Sequence, residues 1–144
     1  IIVLNVKEEG LENKILKILS KKKIKKFFFH DQTFSTLLKN MLKTNVSIRY
    51  SEYEDLKNKN YLFSKIKWLW LDNFKKIDMD DNFYKYLKRK KVKICLVSPE
   101  LIKKNRVNEI SNLYKYLMKK KFLIDAVCTK RPYLWNNLIK NNLK

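Results

Sequence analysis

The chain has 144 residues and a mass of 17.6 kDa, which suits one domain spanning 1–144 and leaves too little chain for a second core. Hydrophobic residues make up 45% and charged residues 33%, so it can bury a core and is not a disordered tail. No apolar run approaches the roughly 18–20 residues of a membrane span, and the net charge of +20 turns attention to anionic partners.

Six short apolar runs read as strands, at 1–6, 26–30, 46–50, 66–71, 92–97 and 124–128. Most are continuously apolar rather than alternating, as expected of parallel strands covered on both faces. Amphipathic segments lie between them. Leu11, Ile15, Ile18 and Leu19 repeat at helical spacing, as do Phe34, Leu37, Leu38, Met41 and Leu42. The stretch 53–62 reads as a short helix or a loop. Asp80 and Asp81 open a helix through Phe83, Tyr84 and Leu87. Ile110, Leu113, Tyr114 and Leu117 mark the next, and Leu134, Trp135, Leu138 and Ile139 the last, after Pro132.

Six βα units in series predict an α/β protein with a parallel sheet. Two architectures fit: a doubly wound open sheet, or a (β/α)8 TIM barrel lacking its first two βα units. The first residues, Ile1-Ile2-Val3-Leu4, already read as strand, so further sequence is expected upstream, and they lack the flanks of a signal peptide. Cys95 and Cys128 sit in apolar runs without metal or redox spacing, which predicts buried thiols in a reducing cytoplasm.

The charge has two readings. A nucleic-acid binder would use lysines on phosphates. However, 30 of the 34 basic residues are Lys, Asn occurs 15 times, Ile 13 times and Gly once, a skew toward A/T-rich codons across the whole chain. The runs 21–23, 88–91 and 119–121 fall at predicted helix C-termini, where cations complement the helix dipole. Composition and capping are therefore preferred to nucleic acid as the explanation. A non-catalytic basic module for nucleic acid or another polyanion is the alternative function.

Each predicted strand ends in polar residues: Asn5, Lys7 and Glu8; His30, Asp31 and Gln32; Arg49, Ser51 and Glu52; Asp72 and Asn73; Ser98 and Glu100; Thr129, Lys130 and Arg131. In a barrel these ends meet on the face where active sites are built. Other chemistries find little support. Gly10 is the only glycine, so there is no phosphate-cradling loop, and His30 is the only histidine, so no His pair can hold zinc. Ser51 and Ser98 lack a nucleophile-elbow context, and a lone strand-end His is more often a packing group than a base.

Several segments together resemble a bacterial branch of the glycerophosphodiester phosphodiesterase family. They are Leu4-Asn5-Val6-Lys7 with Glu9-Gly10-Leu11, Phe29-His30-Asp31, the run 49–54, Trp70-Leu71-Asp72-Asn73-Phe74, the run 95–101, and Asp125 to Pro132. The resemblance runs in order from Ile1 to about Trp135. It implies a phospholipase C-like (β/α)8 barrel of which this chain supplies strands three to eight. It also implies a phosphoric diester hydrolase using Mg²⁺ or Ca²⁺ and acting on a small or lipid-derived phosphodiester. On that mapping Lys7, Arg49, Asp72 and Glu100, with Glu52, line a substrate pocket, and Asn5 stands at a metal-ligand position. Trp70 is expected to pack inside the barrel. The family's two catalytic histidines belong to the absent strands, so catalytic residues are unknown here. Asn5 replaces the family's Glu, and Lys130 replaces its Asp. The expectation is a chain that does not hydrolyse phosphodiesters as given.

Overall fold

All six apolar runs form strands, each slightly shorter than the run that predicts it. They are β1 (Ile2–Asn5), β2 (Phe27–His30), β3 (Ser47–Tyr50), β4 (Trp68–Leu71), β5 (Lys93–Val97) and β6 (Ala126–Cys128). The computed structural model describes residues 1–54, 56 and 61–142. Among the described residues there are six α-helices: α1 (Glu12–Lys21), α2 (Phe34–Asn40), α3 (Asp81–Arg89), α4 (Pro99–Ile102), α5 (Glu109–Lys120) and α6 (Pro132–Asn141). None is long and apolar enough to cross a membrane. The segment 53–62 lies partly outside the described residues, and its end enters a 3₁₀ turn at Leu62–Ser64.

The protein is α/β. A two-stranded parallel sheet, β1-β2, accompanies a four-stranded parallel sheet, β3-β4-β5-β6. One parallel bridge, Phe29 to Val46, links them, with the Phe29 N–H donating to the Asn45 carbonyl at 2.9 Å. Strand order follows chain order within each sheet, without the reversal that defines a doubly wound sheet.

Alternating side chains divide the core. In β4, Leu69 and Leu71 join Phe29, Ile48, Tyr50, Ile94 and Leu96 against helix residues Leu37, Phe83, Leu87, Ile110, Leu117 and Trp135. Trp68 and Trp70 point to the other face, where they pack with Phe28, Cys95 and Val97. Phe28 stacks on Trp68 with centroids 4.7 Å apart. The double apolarity that read as a parallel sheet thus reflects a helix layer on one side and an aromatic layer on the other.

Local chemistry fixes where the helices begin and end. The Asp80 carboxylate caps α3 by accepting the Phe83 N–H at 2.7 Å. After α1, α3 and α5 the chain turns through left-handed residues, Lys23 (φ 56°), Lys91 (φ 56°) and Lys121 (φ 55°). Glycine usually occupies such positions, because a Cβ there crowds the backbone. α4 and the 3₁₀ segment Lys104–Asn108 were not foreseen, since 99–108 carries no helical repeat; Pro99 at the first turn starts α4 locally.

Candidate functional site

Parallel pairing gathers the strand ends. Asn5 lies opposite His30 in register, and Arg49 lies opposite Trp70. Asp72, two residues beyond Trp70, has the same facing, as does Lys7 two beyond Asn5.

His30 is buried, and its ring stacks on Trp70 with centroids 3.9 Å apart. Its Nδ1 is 2.9 Å from Ser47 Oγ, and that hydroxyl lies 3.3 Å from the Phe29 carbonyl. The Ser47 hydroxyl thus ties the ring to the β2 backbone, and the ring tautomer follows from which of these two acceptors takes its proton. Burial, then the Arg49 charge, pushes the His30 pKa down to about 4, against the opposing pull of Asp31. At neutral pH the ring is uncharged.

Asp31 adopts φ 62°, an uncommon conformation for a residue with a side chain. Its carboxylate pairs with Lys7 and lies 3.4 Å from Arg49 Nη2. Arg49 Nε lies 3.0 Å from Asp72 Oδ2, and Asp72 Oδ1 accepts the Trp70 Nε1–H at 3.2 Å. The N–H of Arg49 Nε is not aimed along that line, so charge holds the pair rather than a well-formed hydrogen bond. The result is an alternating chain, Lys7–Asp31–Arg49–Asp72. The Lys7 hydrogen bond, outweighing burial and aided by Arg49, holds the Asp31 pKa below the usual carboxylate range. Burial raises that of Asp72, with Arg49 and Trp70 opposing. Beside the chain opens a cavity of about 400 Å³, lined by His30, Asp31, Gln32, Ser47 and Arg49 among others.

Of the sequence-predicted residues, Lys7, Arg49 and Asp72 come together here. Asn5 sits exposed at the end of β1. Glu100 builds a separate, closed knot: it bonds the Ser98 hydroxyl, accepts from the Thr129 hydroxyl at 2.5 Å, and accepts the Lys130 N–H at 3.0 Å. Ser98 Oγ also takes the Trp135 Nε1–H at 2.9 Å, tying β5, β6 and α6 together. Burial works to raise the Glu100 pKa, but these donors outweigh it and lower it. Glu52 anchors the loop after β4, accepting the backbone N–H groups of Lys75 at 2.5 Å and Lys76 at 3.3 Å. The sequence places Asp31 among the strand-end polar residues and in the resembling segment Phe29-His30-Asp31, but assigns it no role; its adjacency to His30 was the available signal.

A divalent cation does not fit these residues. Among the described residues no group of three or more His, Cys, Asp or Glu side chains is placed to hold a metal. Asp31 and Asp72, the carboxylates of the cluster, already face Lys7 and Arg49. The chain matches no protein-family model and no curated protein.

Proposed function

We propose that this chain contributes strands three to eight of a phosphodiesterase-like (β/α)8 barrel, and that its polar cluster binds the phosphate of a glycerophosphodiester without hydrolysing it unaided. The observation that carries this reading is the Lys7–Asp31–Arg49–Asp72 chain at the ends of successive parallel strands. A phosphodiester oxygen offers the same acceptor as the Asp31 carboxylate and can take its place between the two cations. Parallel strands in chain order, with a buried aromatic layer on the face away from most helices, are what a barrel segment needs. Two free cysteines fit a reducing cytoplasm.

Hydrolysis needs a proton donor for the leaving alcohol, and a histidine with a pKa near 4 carries no imidazolium proton to give at neutral pH. The chain's own residues therefore bind and orient. Lys7 and Arg49 hold the anion, and Asp72 keeps Arg49 in place. The test is calorimetric titration with glycerophosphocholine, alongside a hydrolysis assay containing Mg²⁺ or Ca²⁺. Saturable binding, weakened roughly tenfold by Lys7→Ala or Arg49→Ala and without turnover, supports the reading. Absence of binding by the intact chain removes it. Metal-dependent turnover overturns the claim that the site does not hydrolyse.

A further inference from the structure

Parallel βα units place every strand N-terminus at the end of the sheet opposite the polar cluster. The segments that lead into β2 through β6, at 21–26, 41–46, 65–67, 88–93 and 119–125, carry 16 basic residues and a single acid, Asp125. Every other described acidic residue lies in a segment that leaves a strand or opens a helix. A codon bias toward lysine explains the number of basic residues but not this partition. Helix dipoles favour cations only within the last turn, whereas Lys25, Lys26, Lys67 and Lys93 stand beside strand starts.

Three of these four lysines converge. Lys25, Lys26 and Lys93 line one cavity of about 470 Å³ together with Asn45 and Trp68. Lys93 Nζ lies 5.6 Å from the Trp68 ring centroid. Asp125 also lines this cavity, but its carboxylate is engaged by Lys88 at 2.8 Å and by the Ile94 N–H at 2.9 Å. Among the described residues, Lys120 is drawn away, to Asp81 at 3.0 Å. Among these basic segments Leu42 is 64% and Leu123 69% exposed.

We infer that this basic end is a docking surface for an anionic phospholipid bilayer, independent of the phosphodiesterase reading. Its lysines would sit at the headgroups, and Leu42 and Leu123 at the acyl boundary. Lysines mixed with exposed aliphatic residues match that environment. Nucleic-acid recognition favours arginine, and Arg89 is the only one of the 16.

The experiment is co-sedimentation of the chain with phosphatidylcholine vesicles, with and without about 30% phosphatidylserine. The variants are Lys25→Glu/Lys26→Glu/Lys93→Glu at the basic end and Lys75→Glu/Lys76→Glu/Lys103→Glu at the other, both checked for folding by circular dichroism. The two triple variants carry the same net charge. Binding that requires phosphatidylserine, falls on the order of 100-fold in the first variant and survives in the second supports the surface. Leu42→Ser/Leu123→Ser should weaken the part of the binding that salt does not remove. Equal loss in both triple variants, no binding to anionic vesicles, or displacement from them by equimolar duplex DNA overturns the proposal.

Discussion

His30 is the only histidine, so the stability of this protein between pH 7 and 5 reports chiefly on one ring. Its pKa is about 4 in the fold against 6.5 for the free group. On acidification the unfolded chain takes up the proton first, so the stabilisation from a neutral His30 is intact above about pH 7. It is lost as pH falls through 6.5 toward 4. At about 1.4 kcal/mol per pH unit, the full shift is worth ~3 kcal/mol, of which ~2 kcal/mol should disappear between pH 7 and 5. Asp31 and Glu100, with pKa values lowered from 3.8 and 4.5, lose their contribution mainly below this window. Asp72, whose pKa is raised, acts in the opposite sense. Urea unfolding followed by tryptophan fluorescence at several pH values should give this slope. His30→Phe, which keeps an aromatic ring against Trp70, should flatten it. Identical slopes in both proteins, or an NMR titration midpoint for the His30 ring at or above 6, would refute the assignment of a buried neutral imidazole.

Replacing Arg49 with Met leaves Asp72 buried without its cation and should destabilise by ~2 kcal/mol, with Asp72→Asn restoring part of the loss; strictly additive effects in the double mutant count against the pair. Burial pushes the Cys95 thiol up to about 12, so in a Cys128→Ser variant a disulfide reagent at mildly alkaline pH should label Cys95 only as fast as the protein opens. Immediate labelling of the native protein would show that the thiol is accessible. Glu100→Ala removes the acceptor for Ser98, Thr129 and the Lys130 N–H and should cost ~2 kcal/mol. Amide exchange at Lys130 reads this directly, and unchanged protection there would mean that the knot does not hold the β6–α6 joint.

The strands were legible because burial on both faces left continuous apolar runs, as in Trp68-Leu69-Trp70-Leu71. The α3 start was legible because its cap is a local carboxylate. α4 was not, because a four-residue helix held by Pro99 and neighbouring loops leaves no periodicity to read. At the site, Lys7, Arg49 and Asp72 follow from their places after consecutive strands. The Asp31 link between Lys7 and Arg49 depends on a left-handed backbone that nothing in the residue order announces. Glu100 was expected in the pocket with them; its lone pairs instead go to Ser98, Thr129 and Lys130, residues recruited from two strand ends.

Three of the joints that return helices to strands are lysines held at positive φ: Lys23, Lys91 and Lys121. Glycine at each would relieve roughly 1 kcal/mol of backbone crowding. Each exchange would also delete a charge from the densest part of the basic end. Conformational ease and surface potential therefore pull these positions in opposite directions, and a variant selected only for thermal resistance should drift toward a less cationic underside.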